Sequence, residues 1–262
     1  MDGGAITVRG QAGDRGATPV LVHYWGGSAR TWDGVVARLP SHRGGVRYDQ
    51  RGWSGSRDLP GPYGLRHLAD DLLRVVSALE LDDYVLVGHS MGGKVAQLAA
   101  AQAPSGLSGL LLVAPAPPRP PATVTAAHQR ALAHAYDSAE AVEQALDHVL
   151  TSTAVRGAAR RAVLADSLAA HDPARREWPL HGIAEDITAD VTAIEVPVLV
   201  LAGEHDRVEP AAVLREHLLP HVRHARLQVV PGSGHLLPLE APAAVAAAVE
   251  AFTADRAGVR PA

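Results

Sequence analysis

Cysteine is absent from this chain of 262 residues. That absence removes disulfides, thiolate nucleophiles and cysteine metal sites together, and it fits a reducing compartment. A surplus of positive charge is missing as well: 24 basic residues stand against 28 acidic ones, for a formal charge of −4. Such a balance gives no electrostatic case for nucleic acid or an anionic membrane, so the partner expected is a small, neutral substrate. No apolar run approaches the roughly 18 residues that a membrane span requires. Residues 1–14 lack the charged start and apolar core of a leader, and a cytoplasmic protein is expected. Lysine is nearly missing too, since Lys94 is the sole one.

What is present suits one sizeable domain with a smaller insertion. A chain that is 47% hydrophobic and 20% charged is ordinary for a globular protein, and its length buries a core without metal or disulfide staples. There is no internal repeat, and a monomer or homodimer is expected.

The chain is organised around Gly88-His89-Ser90-Met91-Gly92, a G-x-S-x-G run. Residues 83–87 before it form a short apolar, β-branched burst, and residues 93–99 after it carry apolar side chains at helical spacing. Strand, tight turn, helix is the predicted order. Such a turn imposes strained dihedrals on the serine, and small residues two before and two after it let the strand and helix backbones pass closely. The hydroxyl then sits at a helix N-terminus, within reach of a substrate. The pentapeptide also arises by accident in chains rich in glycine and serine, so its surroundings decide its meaning.

Around it, strands alternate with helices. Residues 5–9 alternate as a short strand, and residues 18–24 read as a buried one because their apolar side chains run together. Ser28 is the expected N-cap of a helix bearing Trp32, Val35, Val36 and Leu39. A strand over 46–49 follows, and then a clear helical stripe of Leu65, Leu68, Leu72, Val75, Val76 and Leu79. Beyond the elbow come a strand over 107–114 and a proline-rich linker over 116–121, which excludes helix. From 124 to 190 the pattern is helical throughout. Strands over 196–202 and 226–230 and helices over 210–219 and 242–252 complete the chain. The fold class expected is α/β, with a mostly parallel, doubly wound sheet. Its core spans residues 1–116 and 191–262, and residues 117–190 form a helical cap inserted over the carboxyl ends of the strands.

A serine hydroxyl is a poor nucleophile at neutral pH; it needs a base, and the base needs a partner that fixes its tautomer. His235, in Gly232-Ser233-Gly234-His235, follows the last strand directly. Asp206, in Gly203-Glu204-His205-Asp206, follows the 196–202 strand, with Glu204 a rival acid two positions away. A surface histidine and a helix-capping aspartate are the bland alternatives. The order serine, acid, histidine is that of a nucleophile elbow on an open parallel sheet, with all three at one sheet edge. Attack on a carbonyl also creates an oxyanion, which needs two donors. The backbone N–H of Met91 is one, and that of Trp25, after the 18–24 strand, is the expected second, with Tyr24 its neighbouring alternative.

These stretches, together with Val22-His23-Tyr24-Trp25-Gly26-Gly27-Ser28, Asp49-Gln50-Arg51-Gly52-Trp53-Ser54-Gly55-Ser56 and Pro238-Leu239-Glu240, resemble the α/β-hydrolase superfamily over nearly the whole chain. Within it the chain is most similar to small, helical-capped bacterial esterases, haloperoxidase-like proteins and C–C-bond hydrolases. The resemblance implies an eight-stranded sheet, a Ser90, Asp206, His235 triad and no required cofactor. One departure is Tyr24, where the family usually has glycine. Serine at position 90 argues against the dehalogenase and epoxide-hydrolase branches, which attack through a carboxylate.

Tyr24, His89 and Trp178 are the side chains expected to face substrate, with His128 and His134 as further pocket or packing residues. His217, His221 and His224 hint at a metal cluster, but Pro220 interrupts the helix that would align them, so no metal is expected. Arg156, Arg160 and Arg161 read as a solvated face. The function expected is hydrolysis of a carboxylic ester or lactone of a small, largely apolar molecule. A C–C hydrolase or cofactor-free oxygenase with the same triad, and a non-catalytic small-molecule sensor, are the alternatives.

Overall fold

The computed structural model describes residues 5–254. One sheet contains β1 (Val8–Arg9), β2 (Thr18–Val22), β3 (Val46–Tyr48), β4 (Tyr84–His89), β5 (Leu107–Val113), β6 (Val198–Gly203) and β7 (Ala225–Val230). Their order across the sheet is β1-β3-β2-β4-β5-β6-β7. Only β1 runs antiparallel, against β3; all other neighbours are parallel. The described residues hold seven strands where the resemblance implies eight, and the strand expected over 5–9 shortens to two residues.

Helices cover both faces. They are α1 (Asp33–Val36), α2 (Leu65–Ala78), α3 (Met91–Ala101), α4 (Ala126–Leu132), α5 (Ala139–Ala145), α6 (Gly157–Ala169), α7 (Asp172–Leu180), α8 (Thr188–Val191), α9 (Ala211–His217), α10 (Leu237–Glu240) and α11 (Pro242–Ala254). Alternation along the strands assigns each layer. Leu21, Val85, Val87, Leu111 and Val113 pack against Trp32, Val245 and Val249, while Val20, Val22, Leu86, Leu110 and Leu112 pack against Leu68, Leu72 and Val95. Each such burial contributes about 1.5–3 kcal/mol, so both faces of the sheet are fixed by hydrophobic contact.

The helix expected after Ser28 is broken. Ser28 does act as the N-cap, accepting the Arg30 N–H, but residues Ala29–Trp32 form a 3₁₀ turn before the short α1. Asp49 takes the Ala29 N–H at 2.8 Å, and Gly34 followed by two valines is a weak helix former. The segment between β5 and β6 holds α4 to α8 and a π turn over Leu146–Leu150.

The sheet order prepares a site. From β2 the chain passes to β3 on one side and then crosses to β4 on the other. Loops leaving β2 and β4 therefore part at the carboxyl edge, which is where a crevice forms in an open sheet. Val22 pairs with Gly88, so the two loops start side by side.

Candidate active site

At the end of β4 the backbone folds back within one residue. Ser90 has φ 54° and ψ −119°, a left-handed conformation that costs a non-glycine residue roughly 1–3 kcal/mol. Close packing holds it there. A Cβ on Gly92 would lie 2.4 Å from the His23 carbonyl oxygen, and one on Gly88 would lie 2.5 Å from the Gly92 carbonyl oxygen. The elbow thus needs glycine at both positions, and it presents the Ser90 hydroxyl at the start of α3.

His235 follows β7 and Asp206 follows β6, as their positions after strands led us to expect. Asp206 Oδ2 lies 2.9 Å from His235 Nδ1, and His235 Nε2 lies 2.9 Å from Ser90 Oγ. Burial alone raises the Asp206 carboxyl, but the His235 ring and the N–H groups of Glu209 and Val208 outweigh it and hold the group below its usual range. The ionised carboxylate accepts only, so Nδ1 carries the proton and Nε2 accepts from the serine hydroxyl. Glu204 is elsewhere: it is exposed and accepts the Gly232 N–H at 2.8 Å. Asp206 also does what its bland alternative requires, since Oδ1 takes the Val208 and Glu209 N–H groups at 2.8 and 3.0 Å.

The loop after β2 is pinned from several sides. Gln50 donates its N–H to His23 Nε2 at 3.0 Å, which leaves the proton on Nδ1 to bond the Tyr24 carbonyl at 2.7 Å. The Trp53 indole N–H donates to the Trp25 carbonyl at 2.6 Å. Burial pushes the His23 pKa down, keeping the ring neutral in this role. Among the described residues, the backbone N–H groups of Trp25 and Met91 donate to no protein acceptor. An oxyanion requires two free donors of this kind.

A cavity of about 500 Å³ opens over Ser90 and His235. Its apolar wall comes largely from the segment between β5 and β6, including Leu132, Val149, Leu150 and Ile183. Tyr24 and Trp178 line it as expected, and so does His128. His134 instead pairs with Asp137 at 2.6 Å. Nor does His89 face this cavity. It is fully buried behind His235, donating from Nε2 to the His235 carbonyl at 2.9 Å, because β4 directs its side chain under the sheet edge. Burial, then the neighbouring His235 ring, lowers its pKa to about 3. His89 is therefore a neutral prop and not a substrate contact. Arg160 is tied to Asp147 at 2.6 Å on the surface, in keeping with a solvated face.

The sequence matches the Alpha/beta hydrolase family over residues 20–248. The chain belongs to that family. Among curated relatives, a putative carbamate hydrolase RutD from Caulobacter sp. (strain K31) is 29% identical over 255 residues, covering 95% of this chain and 94% of the relative. A non-heme haloperoxidase from Rhodococcus erythropolis is 29% identical over 242 residues, covering 83% and 85%. Among solved structures, the esterase EaEST from Exiguobacterium antarcticum superposes with a TM-score of 0.84 at 21% identity, covering 95% of each chain, a likeness of fold.

In this family member one pocket residue escapes sequence reading. Glu209 lines the cavity and is 7% exposed. It stands three residues after Asp206, just before Pro210, the N-cap of α9, so a turn folded around the Asp206 carboxylate carries it to the same cavity. The spacing was the available signal, but the pair reads more readily as helix-start chemistry.

Proposed function

We propose that the chain is a serine hydrolase cleaving a carboxylic ester or lactone of a small, largely apolar molecule through an acyl-enzyme on Ser90. The observation that carries this reading is the unbroken hydrogen-bond relay from Asp206 through His235 to Ser90, ending at the floor of an apolar cavity. Ser90 Oγ attacks the acyl carbon as His235 Nε2 takes its proton. The developing oxyanion is held by the N–H groups of Met91 and Trp25. His235 then returns the proton to the departing alkoxide, and water activated by the same ring releases the acid. Residues 1–116 and 191–262 form the catalytic core in this reading, with residues 117–190 as a cap. Supporting the cap are the Leu150 carbonyl, which accepts the His235 N–H at 2.9 Å, and Glu240, which accepts the Ser152 and Gly234 N–H groups at 2.7 and 3.1 Å.

A fluorophosphonate probe is expected to label Ser90 of the wild type and to leave Ser90→Ala and His235→Ala unlabelled. Both variants should lose at least about a thousandfold in kcat on p-nitrophenyl esters. A wild-type protein that resists the probe would sink the nucleophilic reading, and turnover confined to a dienone or quinolone would replace the ester with another bond.

A further inference from the structure

The cavity holds a polar group that the hydrolytic scheme leaves without a task. Glu209 is more than nine-tenths buried, lines the same cavity as Ser90 and His235, and is fixed there by its backbone N–H on Asp206 Oδ1 at 3.0 Å. Among the described residues no hydrogen bond or ion pair reaches its carboxyl, the side-chain hydrogen bond at this residue being that of its backbone N–H to Asp206. Lys94, whose charge acts on Glu209, makes its hydrogen bonds elsewhere: Nζ donates to the carbonyls of Gly182 and Glu185. Arg207, the other charged wall residue, is exposed and donates from Nη1 to the His148 carbonyl at 3.1 Å.

We propose that Glu209 is a specificity-determining residue, whose carboxyl hydrogen-bonds an uncharged hydroxyl or amide group on an otherwise apolar substrate. Water can satisfy the carboxyl in an empty cavity. A substrate methylene that displaces this water leaves the carboxyl unpaired, whereas a hydroxyl or amide restores both its donor and its acceptor. Discrimination of this kind is steep, because a site made for a hydrogen bond rejects the analogue that lacks it. Burial first, then the negative charge of Asp206, push the carboxyl well above its usual range, with Lys94 opposing them. That direction favours the neutral form and makes an uncharged partner a better match than an ammonium. The apolar walls work in the same direction.

This substrate class rests on the hydrolase reading, so one arm of the test uses turnover and the other does not. For turnover, kcat/KM is measured on p-nitrophenyl 6-hydroxyhexanoate and on p-nitrophenyl heptanoate, where a methyl replaces the hydroxyl. For binding, calorimetry compares octane-1,8-diol with nonan-1-ol on the Ser90→Ala protein. In each arm the ratio of polar to apolar ligand is expected to fall at least tenfold on Glu209→Leu and less than threefold on Glu209→Gln; Glu209→Ala serves as a second apolar variant should leucine disturb folding. Ratios unchanged by the leucine and alanine substitutions overturn the proposal. So does a glutamine variant as impaired as leucine, or a preference for 8-aminooctan-1-ol over the diol that glutamine abolishes, since both mean an ionised carboxylate. If the wild type hydrolyses neither ester, the hydrolase reading fails while the binding arm still decides the part played by Glu209.

Discussion

Asp206 divides its two oxygens between two tasks, and this explains why so short a segment carries so much of the site. Oδ2 meets His235 while Oδ1 closes the turn that leads to α9. Replacing it with asparagine keeps the shape but lets an amide N–H face Nδ1, which favours the wrong tautomer. Asp206→Asn is therefore expected to lower kcat by about a thousandfold to ten-thousandfold, whereas Glu204→Gln, whose exposed side chain meets the Gly232 N–H and His205, should stay within about threefold. Steady-state kinetics on a p-nitrophenyl ester checks both, and the reverse result would assign the acid to Glu204. At this scale the meeting of Ser90, His235 and Asp206 at one sheet edge was legible because each falls in the first turn after a strand, a property of spacing. His89 and Glu209 were not. Whether a side chain beside a catalytic position points into a cavity or under a sheet edge is set by the twist of the strand and the packing of neighbours. Position in the chain does not encode that direction.

Secondary-structure elements explain why the geometry holds. The elbow works only because β4 and α3 pass at glycine distance from the loop after β2. Gly92→Ala would drive a methyl group to 2.4 Å from the His23 carbonyl oxygen and 2.6 Å from that of Val22, both backbone atoms that cannot swing away. A loss of about 3 kcal/mol or more in urea denaturation is expected, since the clash falls in the sheet interior. One turn further along, Lys94 sits fully buried on α3 with its ammonium on the Gly182 and Glu185 carbonyls. Burial lowers its pKa from 10.5 to about 8, with the carboxylates of Glu185 and Asp186 opposing. A base whose folded pKa lies below its unfolded one binds fewer protons when folded, so stability rises with pH between those two values. The wild type should gain about 2 kcal/mol from this group between pH 8 and pH 10. Lys94→Met should lack that gain, and because no other lysine is present, the difference between the two urea midpoints isolates it. Element order was readable throughout, since period-two and period-3.6 patterns are local. The break between the 3₁₀ turn at Ala29–Trp32 and α1 was not, because it depends on Asp49, which is distant in sequence and reaches the Ala29 N–H.

At the level of the whole molecule, the segment over residues 117–190 is bound to the core by side chains that lead back to the site. Asp166, on α6 and 5% exposed, accepts the Ser28 hydroxyl at 2.7 Å and pairs with Arg30, both just beyond the loop that carries Trp25. Ser167, next to it, donates to the Gly26 carbonyl at 2.9 Å, and the Trp25 indole N–H reaches the Arg175 carbonyl at 2.7 Å. The helical segment and the loop after β2 are therefore tied together by side chains of α6 and by the backbone of α7; in the proposed reading this tie holds the Trp25 donor in place. Asp166→Ala removes the shared acceptor, which leaves the buried Ser28 hydroxyl without an acceptor and frees the exposed Arg30 guanidinium, for an expected cost of about 1–3 kcal/mol. The loss should be local. Amide exchange is expected to speed up across α6 and residues 26–32 while the amides of β4 and β5 keep their protection, because those strands are fixed by the two hydrophobic layers and not by this tie. In the same variant kcat should fall together with kcat/KM, as an oxyanion donor set loosely is felt in the transition state more than in binding. Uniformly faster exchange across the sheet would mean that Asp166 holds up the fold as a whole, and a rise in KM alone would separate the cap from the oxyanion loop.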